Sequence, residues 1–221
     1  KLIDIKCMQE KKETLNIDNT TSDEKHCENV SFINGIAIPS YFEFIQTGKI
    51  TIKSKINNII NKAELLVNAD TGGLTLGNNK NIILETIQSF HKKNNITNND
   101  TFENISELLK ISNIWGSINS GFIYPLNQIK KYTWLSKNIL NKSIDRLKNT
   151  IKYSNNIYEE YFKFPEENTN EIQNDHLYGF ILIGAIDIID FDTIWEIKCV
   201  NDIKWEHKLQ LICYMYLYKS S

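Results

Sequence analysis

LYGFILIGAIDIID, residues 177–190, and DTIWEIKCV, residues 192–200, decide the fold. Each is a short apolar run rich in isoleucine, the pattern of a strand buried on both faces. So short a connection favours an antiparallel pair, because parallel neighbours need a crossover of a dozen or more residues. Upstream, across an acidic polar loop, IYEEYFKF (157–164) reads as a further strand. Downstream, WEHKLQLICYMYLY (205–218) brings Leu209, Ile212, Cys213, Tyr216 and Leu217 onto one face, which predicts a helix packed on the sheet through those side chains.

Before residue 155 the pattern is helical. IPSYFEFIQTGK (38–49) predicts a short helix opened by Pro39. Ser54 is the expected N-cap of KINNIINKAELLVN (55–68), whose apolar residues repeat at helical spacing. Helical periodicity returns at 80–93, 101–112 and 133–153, the second following Thr101 with Glu103 in its first turn. Residues 69–79 read as a turn-rich connector; its glycines are not followed by the G-K-[ST] of a phosphate loop. Residues 1–8 alternate like a short strand and residues 9–30 are polar. The expected organisation is a strand and polar segment over 1–30, a helical region over 31–110 and a core over 111–221. The fold class is α/β, a mixed sheet flanked by helices with a largely helical N-terminal half.

A hydrophobic content of 41% and a charged content of 24% suit a soluble globular protein, and 221 residues can bury one sizeable core. The net charge of −2 gives no overall basic footprint, although a local groove matters more to nucleic acid than the sum. Arg146 is the only arginine, and the abundance of Asn, Ile and Lys reflects an AT-rich genome. Cys7, Cys27, Cys199 and Cys213 form no C-x-x-C pair, which predicts reduced thiols and an intracellular setting. No apolar stretch approaches the roughly 20 residues that span a bilayer, so no membrane is expected as a partner.

Two acids interrupt the apolar runs: Asp187 within GAIDII and Glu196 within IWEIKCV. A carboxylate in a buried strand is costly unless it is paired or binds a cation. Lys198 follows Glu196 by two residues and so shares its strand face. Across an antiparallel pair Asp187 and Glu196 come near each other, and their repulsion calls for Lys198 or a metal between them. Hard oxygen ligands around Mg²⁺ or Mn²⁺, with a lysine to orient water, suit phosphodiester hydrolysis. Taken alone, a Glu–Lys pair at this spacing is ordinarily a solvated face; Gly184, Gln210 and Tyr214 at their positions raise the odds.

GAID, then EIK beginning nine residues after its Asp, then QLICY resembles the PD-(D/E)XK nuclease superfamily, and Gln210-x-x-x-Tyr214 is similar to its RecB-like branch, which includes CRISPR-associated exonucleases. TGKITIKSKINNII (47–60) and WGSINSGF (115–122) resemble the segments that open the lambda-exonuclease (YqaJ-like) nucleases. The resemblance implies a restriction-endonuclease-like sheet, with its nuclease core over 111–221 and Gly116 leading a helix. Asp187, Glu196 and the Ile197 carbonyl would hold the metal, Lys198 would activate water, and Gln210 would orient Lys198 or the substrate. Tyr214, His207, Lys49 and Lys53 would meet the substrate, the two lysines as point charges because Gln46 stands where the family tends to carry arginine. The family's upstream acid or histidine is replaced by Ser120 and Asn119, leaving Glu159 or Glu160 as candidates. Without a downstream cysteine trio, no iron–sulfur cluster is expected. The family's further strand after the Gln/Tyr helix does not occur before Ser221, so either the chain continues beyond this sequence or residues 1–8 fill that sheet edge.

The implied partner is DNA, double- or single-stranded, cut from an end in the cytoplasm, the nucleus or, for a viral source, a viral factory. A homo-oligomer and a helicase or recombination partner belong to the same expectation. Two rival readings are a catalytically silent nuclease fold serving as a DNA-binding or assembly module, and the nuclease domain of a larger repair or helicase protein. His176 and His207 are the histidines nearest the site in sequence. Lys130, Lys131, Lys137 and Lys142, on or near a helix with Tyr132 and Trp134, read as a solvated face or a backbone-tracking one.

Overall fold

The computed structural model describes residues 2–4, 30–66, 80–97, 99–120, 123–151, 156–164, 182–199 and 203–220. It is mixed α/β and mostly helical, with strands β1 (Leu2–Asp4), β2 (Ile157–Phe164), β3 (Leu182–Asp190) and β4 (Thr193–Lys198). The chain divides into two compact units, one of Lys1–Lys6 with Ile151–Ser221 and the other of Cys7–Thr150. Residues 111–150 therefore cluster with the helices before them, whereas the sequence reading grouped them with the sheet. The connector at 69–79 and the polar segment at 9–29 lie outside the described residues.

In the sheet unit the strand order is β1-β4-β3-β2. β2, β3 and β4 are successive antiparallel neighbours, as the apolar runs predict. β1 lies parallel on β4, with Leu2 opposite Glu196 and Asp4 opposite Lys198, and so takes the edge for which residues 1–8 were the candidate. Phe191 and Asp192 make the connection between β3 and β4. Phe191 holds φ at +53° with its ring 79% exposed, a left-handed conformation that the tight reversal imposes on a residue ill-suited to it.

α7 (Trp205–Ser220) packs against β2, β3 and β4. Glu206 in its first turn and Lys219 in its last complement the helix dipole. Ile186, Ile189 and Ile194 form the core beneath it, with Phe162, Leu211 and Tyr214 against them. The face expected to meet the sheet is only partly right. Leu217 is buried, but Leu209, Ile212 and Tyr216 are exposed, and Leu211 and Tyr214 make the contact instead. Because α7 carries large apolar residues on both faces, their spacing does not reveal which face turns inward.

The helical unit comprises α1 (Val30–Thr47), α2 (Thr51–Leu66), α3 (Lys80–Lys93), α4 (Ile105–Ser120), α5 (Tyr124–Gln128) and α6 (Lys137–Thr150). Pro39 sits inside α1, not at its start. α2 begins before Ser54, because its end is capped by a neighbouring helix. The buried Glu43 carboxylate of α1 accepts the Thr51 backbone N–H at 2.9 and 3.0 Å and the Thr51 hydroxyl. Ser54 instead donates to Asp100 at 2.5 Å. α4 starts at Ile105, where Asn104 Oδ1 accepts the Glu107 N–H at 3.0 Å and Glu107 Oε2 accepts the Glu103 N–H at 2.7 Å, a variant of the capping box. Gly116 lies in the interior of α4, not at a helix start. A Cβ there would come within 2.3 Å of the Phe32 ring of α1, so the glycine permits close packing of these two helices.

Candidate active site

The site is assembled by strand register. β2 and β3 pair so that Tyr158 faces Ile188 and Glu160 faces Ile186. Between these pairs stand Glu159 on one strand and Asp187 on the other. β3 and β4 pair through Asp190–Thr193, Ile189–Ile194 and Ile188–Trp195, and Asp187 and Glu196 are the next residue of each strand beyond the last of these pairs. Glu159, left-handed at φ +50° and outside the paired register, and Glu196 both act electrostatically on Asp187. Of the two upstream candidates, Glu159 is buried and Glu160 partly so.

Asp187 is half-buried, and its Oδ2 accepts the Ile197 backbone N–H at 2.6 Å, beside the point where the β3–β4 pairing ends. Burial pushes its carboxyl well above the usual carboxylate range; Glu196 and Glu159 raise it further, against the Ile197 N–H and Lys198. Glu196 is 2% exposed, and burial raises its pKa against the pull of Lys198. The Lys198 ammonium donates to Glu196 Oε1 at 2.5 Å. Glu196 Oε2 is buried and has no hydrogen-bond partner among the described residues. A buried carboxylate oxygen left in this state is costly unless something positively charged meets it.

α7 contributes the second layer. Gln210 Nε2 donates to the Tyr214 hydroxyl at 2.6 Å, so the glutamine anchors the tyrosine, where the resemblance gave it Lys198 or the substrate. Burial first, and then Glu196, raise the Tyr214 phenol above its ordinary pKa, with Asp187 and Glu159 adding to the rise and the Gln210 bond opposing it. This electrostatic coupling places the phenol in the field of all three acids. Gly184 makes room for it: a Cβ at 184 would come within 2.4 Å of the Tyr214 ring. His207 accepts the Lys204 N–H on Nδ1 at 3.1 Å and so secures the start of α7.

Two other expected site residues belong to the helical unit. Lys49 is exposed. Lys53 is fully buried, and its ammonium donates to Glu107 at 2.8 Å, to Thr97 and Asn99 at 3.0 Å each, and to the Thr101 carbonyl. An ammonium enclosed in this way cannot serve as a surface point charge for phosphate, so the expectation for Lys53 is corrected. His176 lies outside the described residues. Asp190 is 4% exposed; its Oδ2 accepts from Trp195 Nε1 at 3.4 Å and its Oδ1 has no hydrogen-bond partner among the described residues.

Among the described residues no group of three or more His, Cys, Asp or Glu side chains is set to hold a metal ion. The Asp187, Glu196 and Ile197-carbonyl set has only two members of that kind. The unpartnered Glu196 Oε2 beside a second carboxylate is the donor chemistry a hard divalent cation needs. Cys199 is buried and Cys213 partly buried, both as free thiols. No helix among the described residues is long and apolar enough to cross a membrane. No family model, curated protein or solved structure matches the chain.

Proposed function

We propose that the chain is a Mg²⁺- or Mn²⁺-dependent deoxyribonuclease that hydrolyses phosphodiester bonds, working from a strand end as the resembling exonucleases do. The observation that carries the proposal is Glu196. It is buried, its charge raises the pKa of Asp187, one carboxylate oxygen is held by Lys198, and the other is without a partner among the described residues. Asp187, Glu196 and the Ile197 carbonyl would hold the ion, which when bound supplies a polarised phosphate and an acidified water.

The remaining chemistry falls to the chain's own groups. Lys198, fixed by Glu196, is the group to orient the attacking water and to offset charge on the phosphoryl oxygens. The Ile197 N–H fixes the Asp187 carboxylate through Oδ2. Gln210 and Tyr214 act as positioning residues, keeping the phenol over Gly184 and water away from the buried side of the acids.

The test uses end-labelled single- and double-stranded DNA with Mg²⁺, comparing wild type with Asp187→Ala and Lys198→Ala. Loss of cleavage by about 100-fold or more in each variant is expected. Wild-type cutting by Lys198→Ala would remove that residue from the mechanism, and full activity in Asp187→Ala would remove the site. A second reading, a catalytically silent DNA-binding module of the same fold, is favoured by the lack of a three-acid metal group among the described residues. It predicts DNA binding without Mg²⁺-dependent cleavage by the wild type.

A further inference from the structure

The helical unit contains a cavity of about 680 Å³ between α3, α5 and the segment leading from α5 toward Tyr132. Small-ligand sites span roughly 300–1,000 Å³. Its floor is apolar, formed by Phe90, Leu126 and Tyr132, all buried. The Tyr132 hydroxyl accepts from Asn113 at 2.8 Å, which fixes the ring. Phe90 meets Tyr132 edge-on at 6.1 Å, so the floor is a braced aromatic surface. The rim is polar: Ser89 and Asn94 come from α3 and Asn127 from α5, and two lysines, Lys93 and Lys130, face a single acid, Glu85. Lys92 and Lys131, next in sequence to these lysines, are exposed.

Basic residues in the last turn of α3 ordinarily offset the helix dipole, which accounts for Lys92 and Lys93. It does not account for Lys130, which reaches the same cavity from the segment after α5. An aromatic floor, hydroxyl and amide groups on the walls and a surplus of ammonium groups at the mouth suit a ligand with a flat ring at one end and a phosphate at the other. We propose that this cavity binds a nucleotide, with its base on Phe90, Leu126 and Tyr132 and its phosphate between Lys93 and Lys130. The site is separate from the carboxylates on the sheet and does not depend on the nuclease reading.

The test is equilibrium binding to the intact chain in EDTA, where no cleavage intervenes, so its outcome is independent of the activity assay. The probes are a fluorescein-labelled oligothymidylate, thymidine monophosphate and inorganic phosphate. Lys93→Ala combined with Lys130→Ala should weaken oligonucleotide binding by about tenfold or more. It should also lower the dependence of log affinity on log salt by about one for each lysine. Ser89→Phe, which crowds one wall of the cavity and leaves every charge in place, should weaken binding similarly. Lys137→Ala with Lys142→Ala, exposed lysines of α6, should change it by less than about twofold.

Thymidine monophosphate that displaces the oligonucleotide supports a site accepting the free nucleotide. An oligonucleotide that binds through the cavity and resists the monophosphate supports a site reading a strand. Equal losses from the two lysine pairs, full binding by Ser89→Phe, or inorganic phosphate competing as well as the monophosphate would each overturn the proposal.

Discussion

Lys53→Met separates a structural lysine from a substrate-binding one. Methionine matches the length of the lysine stem and removes only the ammonium. In the folded chain that ammonium is 1% exposed and joins the Glu107 carboxylate, two side-chain oxygens and a backbone carbonyl. Removing one partner of a buried pair costs about 3–5 kcal/mol, because the other is left as an uncompensated charge. Glu107 retains 12% exposure and its Glu103 N–H bond, which argues for the lower end, about 3 kcal/mol. For a chain of this size that corresponds to a fall in melting temperature of about 6–12 °C.

Urea denaturation and thermal melts measure the loss, and raising the salt concentration should change it little, because a buried pair is poorly screened. A second readout is His91, whose pKa is lowered by burial first and then by Lys53; its imidazole titration, followed by NMR, should move up in the variant. Adding Glu107→Leu should recover much of the lost stability, since the orphaned charge goes with it. A Lys53→Met protein that melts with the wild type and loses only DNA affinity would refute the structural account and restore the phosphate-binding one.

Asp187→Asn should raise the stability of the metal-free protein while abolishing cleavage. The folded-state pKa of Asp187 lies well above its ordinary value, so folding takes up a proton between the two, and this stabilising contribution is lost as pH rises through the folded value. The advantage of Asp187→Asn in melting temperature should therefore grow from acidic to neutral pH in EDTA; a difference that shrank over that range would contradict the assignment. Gly184→Ala should destabilise by about 1–3 kcal/mol through its clash with the Tyr214 ring. Tyr214→Leu should remove most of that penalty in a double-mutant cycle, and an additive result would show that the contact is not the cause. Phe191→Asn should stabilise by about 1 kcal/mol, because asparagine tolerates the left-handed conformation at this exposed turn. Unchanged urea midpoints would show that the turn relaxes around phenylalanine.

The sheet unit was legible because its strands are written in short stretches dominated by apolar and aromatic residues. Ile157–Phe164, Leu182–Asp190 and Thr193–Lys198 fall within the runs quoted from the sequence, and the two acids inside them mark the site. Glu159 was harder to find because IYEEYFKF has two adjacent acids, and only the pairing with β3 shows which of them neighbours Asp187. In the helical unit long-range polar contacts overrode local signals. Pro39 reads as a helix start, yet tertiary packing carries α1 through it. Ser54 reads as a cap, but Glu43, eight residues before Thr51, performs that task from another helix. Lys53 reads as surface charge because nothing near it in sequence announces Glu107.

The pairing of Leu2–Asp4 with Glu196–Lys198 has a consequence for how the chain acquires its structure. The first described strand and its partner stand at opposite ends of the sequence, with the whole helical unit between them. A ribosome releases β1 long before β4 exists, so that strand must wait while the helices, whose contacts are more local, condense. Closing so long a loop costs only a little more than closing one half its length, because the entropy grows with the logarithm of separation. Topology thus makes the sheet edge the last element to form and the first to fray. A circular permutation that places residues 2–4 after α7 would shorten the wait without changing the fold.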